Sequence, residues 1–115
     1  MGDILQVRVM VYTPDPEAVE KAWPLLSELA WPAGSNYAPA KRGALELVDT
    51  LAERLRYGEV SKGISQGLLP EAEKIQALKE QLEAALGDWD STLANKLTVK
   101  IEQALAALET RAGNL

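Results

Sequence analysis

Near the N-terminus, apolar and polar positions alternate with a period of two. From Ile4 to Tyr12 the chain places Leu5, Val7, Val9 and Val11 on one face and Ile4, Gln6, Arg8, Met10 and Tyr12 on the other. This period, rich in β-branched residues, predicts a strand over about 4–12. The segment Thr13-Pro14-Asp15-Pro16-Glu17 then offers capping oxygens, a proline suited to a first helical position and a carboxylate for the positive end of a helix dipole. A helix is therefore expected from Pro16, with Val19, Ala22, Leu26 and Leu29 at helical spacing, ending by Trp31-Pro32. Pro24 lacks a backbone donor and restricts Trp23, so a kink or break is expected there.

Residues 33–38 read as a loop, and Pro39 opens a second helix. Its apolar stripe is Ala44, Leu47, Val48, Leu51 and Leu55. Its polar stripe is Arg42, Glu46, Asp49, Glu53 and Arg56, and Gly58 is a natural stop. The period-four repeat containing Gly63 and Gly67 reads as a flexible connector over 59–69, because each glycine costs about 1 kcal/mol inside a helix. From Pro70 a third helix carries Ile75, Leu78, Leu82, Ala85 and Leu86 and stops at Gly87. Asp90 or Ser91 caps a fourth, which carries Leu93, Leu97, Ile101, Ala104, Leu105 and Leu108. So short a link folds the last two helices into an antiparallel hairpin over 70–112. The expected fold is one mainly α domain, with a strand at about 4–12, two helices up to residue 58, a connector at 59–69 and the hairpin at 70–112. A strand needs backbone partners and the chain offers no second convincing one, so 4–12 is expected to pair with the same strand of another copy in a homodimer.

Composition narrows the chemistry. The 115 residues include 47% hydrophobic and 25% charged side chains, values of a folded domain, and no Cys or His. Disulfides, the usual zinc sites, thiol or imidazole catalysis and histidine switching are excluded. No apolar run approaches the 18 or so residues that cross a bilayer, and the first residues lack the basic and then apolar pattern of a secretory signal. A cytoplasmic location with no membrane partner is expected. Net charge is −5: residues 1–40 carry two basic and five acidic side chains, 41–70 five and four, and 71–115 five and eight. Non-specific wrapping of nucleic acid is disfavoured by this balance, although the middle third leaves room for a local basic patch.

Three groups of residues could carry function. Glu17 and Glu20 are spaced E-x-x-E, and Glu46 and Asp49 E-x-x-D. This pattern resembles the all-α nucleoside triphosphate pyrophosphohydrolases, a resemblance that implies four carboxylates around magnesium. The same residues also read as a solvent stripe, with Arg42 to Glu46 and Glu53 to Arg56 spaced for surface ion pairs. In a second group, Gln6, Arg8 and Met10 share a strand face, while Ser35, Asn36, Tyr37, Lys41 and Arg42 surround the start of the second helix. The order strand, helix, loop, helix resembles the ribbon-helix-helix family. That resemblance implies a dimeric ribbon in the major groove, with Gln6 and Arg8 reading bases and Lys41 and Arg42 contacting phosphate. An ordinary half-exposed strand has the same mixed face.

The third group is aromatic. Phe is absent, leaving three Trp and three Tyr. Trp23 is expected in the core, whereas Trp31, Tyr37 and Trp89 are candidate protein-interface residues. Gly63, Gly67 and Lys62 lack the spacing of a phosphate-binding loop. The sequence therefore reads as a non-catalytic protein-interaction or regulatory module without cofactor or metal. It is expected to act as a homodimer, and its acidic hairpin to engage a protein partner or complete the dimer core. A ribbon-helix-helix-like DNA-binding regulator is the alternative, and a magnesium-dependent pyrophosphohydrolase the third reading.

Overall fold

Proline sets the first boundary in the helical part of the chain. The structure, a computed structural model, describes residues 6–7, 11–12, 16–31, 43–58 and 62–114. Helix α1 (Pro16–Ala22) stops two residues before Pro24, which itself opens α2 (Pro24–Ala30). Trp23 between them has φ −133° and ψ 65°, outside the helical region that a following proline ring disfavours. The break expected at Pro24 thus makes five helices rather than four, the others being α3 (Ala44–Arg56), α4 (Lys62–Gly87) and α5 (Ser91–Gly113). The protein is mainly helical, and no helix among the described residues is long and apolar enough to cross a membrane.

Within the stretch expected as one strand, the described residues form two short pieces. These are β1 (Gln6–Val7) and β2 (Val11–Tyr12), which pair antiparallel with Gln6 opposite Tyr12 and Val7 opposite Val11. Residues 8–10 lie outside the described residues. Residues 39–42, where the second helix was expected to begin, also lie outside them, and α3 starts at Ala44. It ends where expected: Tyr57 N–H donates to Glu53 O, and Gly58 takes the left-handed backbone, φ 74°, that suits glycine after a helix.

The connector expected over 59–69 is corrected by the structure over 62–69, residues 59–61 lying outside the described residues. From Lys62 onward those residues form the first turns of α4, and Pro70 lies inside that helix rather than at its start. Local cost is outweighed by long-range gain. Gly63 and Gly67 cost about 1 kcal/mol each. Against this, Leu68 is fully buried, worth about 1.5–3 kcal/mol by itself, and Ile64 and Leu69 pack on the same core. Two hydrogen bonds add to the balance. Ser65 Oγ donates to Leu55 O at the end of α3, and Arg111 Nε donates to Gly67 O at 2.6 Å. Pro70 has no N–H for the carbonyl of Gln66, so Arg111 binds the backbone beside that gap.

Helices α4 and α5 run antiparallel through the turn at 88–90, and α3 lies against α4. Helix α2 touches both α3 and α5, which closes a cycle of four helices, while α1 packs on α2 and β1 lies beside α5. The enclosed core is dominated by leucine, with Leu26, Leu47, Leu51, Leu55, Leu82, Leu97, Ile101 and Leu105 fully or almost fully buried. Trp23 and Trp31, both buried, supply the bulk that phenylalanine would otherwise give.

Helix α2 has only seven residues and no side-chain cap of its own at Trp23. Its ends are completed from elsewhere. The Glu109 carboxylate accepts from Leu25 N–H at 3.1 Å and from Leu26 N–H at 2.9 Å, and Arg54 Nε donates to Leu29 O at 2.7 Å. Each side chain also has the sign that the helix dipole favours at its end. Glu109→Ala is expected to lower unfolding free energy by about 1–3 kcal/mol, since two amides lose their acceptor. Glu109→Gln, which keeps one neutral acceptor oxygen, should lose less. Urea denaturation followed by fluorescence of Trp23 and Trp31 measures both, and wild-type stability in Glu109→Ala would contradict the capping role.

Candidate functional site

The turn between α4 and α5 departs from what its sequence predicts. Gly87 is the expected helix stop and α4 does end there, but Gly87 is not the left-handed residue of that ending. Beyond it, Trp89 N–H donates to Leu86 O and Asp90 N–H to Ala85 O. These two bonds are those of a Schellman ending, whose left-handed residue is usually glycine. Here that residue is Trp89, with φ 59°, the one non-glycine among the described residues with positive φ. A side chain in this backbone region costs about 1–2 kcal/mol. Asp90 follows at once as N-cap of α5, its Oδ1 accepting from Leu93 N–H at 3.0 Å. The turn therefore has no slack, and its strained residue is the most exposed large apolar side chain among the described residues, 82% accessible. Asp88 and Asp90 flank it, and Leu93, one turn into α5, is 44% accessible.

A second feature lies farther along the same two helices. Between α4 and α5 runs a groove of about 420 Å³, walled by Ile75, Leu78, Ala104, Ala107 and Leu108. Lys74, Glu71 and Arg111 stand at its rim. Ala104 and Ala107 leave the space that larger side chains would fill.

Glu46, Asp49 and Arg56 of α3 are each held by neighbouring groups. Asp49 receives Lys79 Nζ at 2.7 Å, Lys79 also reaches Glu83 at 2.8 Å, and Gln76 Nε2 reaches Asp49 Oδ1 at 3.5 Å. Gln76 in turn accepts from Arg56, which lies 3.8 Å from Glu73. Glu46 accepts from the Gly43 N–H at 3.2 Å, covering the start of α3. The two acidic residues that resembled magnesium ligands on α3 are therefore engaged in a cap and an ion pair, and Glu17 and Glu20 are exposed on α1. Among the described residues, no three acidic side chains are grouped to hold a metal.

Of the three aromatic interface candidates, Trp89 is exposed and Trp31 is not. Trp31 is 6% accessible and belongs to the core, because α2 ends there and turns its indole inward in a chain without phenylalanine. Tyr37 lies outside the described residues, as do Arg8, Lys41 and Arg42. Gln6 is placed only as backbone of β1. At the start of α3, where the ribbon-helix-helix resemblance would seat a phosphate, the Gly43 amide is occupied by Glu46. What sequence reasoning missed is the groove. Its walls are drawn from two helical stripes that become one surface only when the hairpin closes. Comparison with family models, with curated proteins and with solved structures found no match.

Two outcomes follow from this geometry. Trp89→Gly, by relieving the left-handed backbone, should raise the unfolding free energy of the monomeric chain by about 1 kcal/mol in urea denaturation at a dilution where no dimer forms. A loss of stability would show that the indole holds the turn together. Lys79 is the second case. Burial lowers its pKa, but hydrogen bonds and charge from Asp49 and Glu83 outweigh this, and the pKa is raised above the ordinary lysine value. The stabilisation from Lys79 is thus complete below the ordinary value and is lost as pH rises through the raised one. Wild type and Lys79→Met should differ in stability at neutral pH and converge in strong alkali, as measured by denaturation across that range.

Proposed function

We propose that the chain is a non-catalytic protein–protein interaction module that works as a homodimer. The observation that carries this reading is Trp89, held at the hairpin tip in a backbone conformation that folding alone disfavours, and 82% accessible. Tryptophan is the residue most enriched among the side chains that dominate binding energy at interfaces. Around it the support is consistent. Asp88, Asp90 and the partly exposed Leu93 give the tip an apolar centre and a polar border, the anatomy of a contact patch. The tip also stands on two long helices packed along their length, so it is displayed on a rigid support.

The test is native mass by size-exclusion chromatography with light scattering over a wide concentration range. A dimer of twice the 12.5 kDa chain mass is expected. A monomer at every concentration would overturn the homodimer reading.

A further inference from the structure

The inference here rests on the homodimer reading and concerns which surface of a second copy receives the tip. Among the described residues are an exposed apolar knob with an acidic border and an apolar groove with cations at its rim. The knob is Trp89 between Asp88 and Asp90, and the groove lies between α4 and α5 with Lys74 and Arg111 beside it. At about 420 Å³ the groove falls within the 300–1,000 Å³ or so of sites that enclose ligands larger than an indole. Two of its walls are alanines, and the Lys74 side chain, 3.4 Å from Glu71, is 73% accessible. Glu71 offsets part of the lysine charge, and Arg111, whose Nε donates to Gly67 O at 2.6 Å, adds a second cation with its terminal nitrogens.

We propose that Trp89 of one copy seats in the α4–α5 groove of a second copy, with Asp88 and Asp90 facing Lys74 and Arg111. The contact repeats in the other direction about a two-fold axis. Spacing along the helix permits this. Gly87, the end of α4, lies 12 positions beyond Ile75, a separation of about 18 Å at helical rise, and Trp89 follows two residues farther in the turn. Two hairpins side by side and antiparallel, with the axis midway, bring each tip to the other's groove at once. Such a pairing is isologous and closed, so it stops at two copies. The strain at Trp89 then has a use: glycine would suit the turn better but would leave the groove empty.

The chain has no cysteine, so single cysteines can report the contact without background. Asp88→Cys and Lys74→Cys are made separately, mixed in equal amounts and oxidised, and the cross-linked product is identified by mass. The mixed disulfide should be the main cross-linked species. Trp89→Ala and Ala107→Glu, at exposed positions on the tip and the groove wall, should each weaken the dimer at least tenfold in light scattering while helical circular dichroism is unchanged. If the wild type is a dimer but both variants associate as tightly and no mixed disulfide forms, self-association uses another surface. This inference then fails while the homodimer reading stands. If the wild type is monomeric throughout, both fail.

Discussion

A helix of seven residues has too few internal hydrogen bonds to persist in water, so α2 exists only because other helices complete it. Glu109 from α5 closes its N-terminus, across 83 and 84 positions of sequence, and Arg54 from α3 closes its C-terminus. Trp23 cannot cap, and Pro24 brings no amide, which leaves the Leu25 and Leu26 N–H groups as the donors to satisfy. This tie fixes α2 between α3 and α5, and so closes the cycle of four helices whose interior is the core. Leu26 and Ala30 are buried because that frame places them there.

The same device recurs where α4 is weakest. Its first turns contain two glycines, and its backbone is interrupted by Pro70. Ser65 bonds the last turn of α3, and Arg111 reaches Gly67 O beside the proline gap. Farther along, the Asp49–Lys79–Glu83 cluster joins α3 to α4, with the Lys79 side chain only 18% accessible. Leucine packing brings the helices together without direction, while these polar contacts fix where each helix begins, bends and ends.

These contacts explain what was legible in the sequence. The stripe Ala44, Leu47, Val48, Leu51 and Leu55, the break at Pro24, the stop at Gly58 and the Asp90 cap all depend on neighbours within a few positions, and periodicity shows them. The helical state of 62–69 depends on partners in α3 and α5, so the glycine cost is visible in the sequence and the compensation is not. Trp31 is similar: a tryptophan beside a proline-rich loop reads as exposed until the core is seen to lack phenylalanine bulk. Glu46 and Asp49 have the spacing of paired metal ligands. Only tertiary structure reveals that one covers the start of its own helix and the other meets a lysine thirty positions away.

Gly87 and Trp89 show where folding and display diverge. The Schellman bonds place the left-handed residue at 89, and a chain selected only for a stable turn would put glycine there. Instead the glycine sits two positions earlier, in a helical conformation where alanine would serve better and where an added Cβ would meet nothing within 4 Å. Both choices cost stability, and neither improves the packing of the core. The turn therefore violates local preference at the one place where its strained side chain meets solvent most fully. Strain held at an exposed aromatic side chain is therefore not explained by the fold, and it is the observation on which the proposed contact rests.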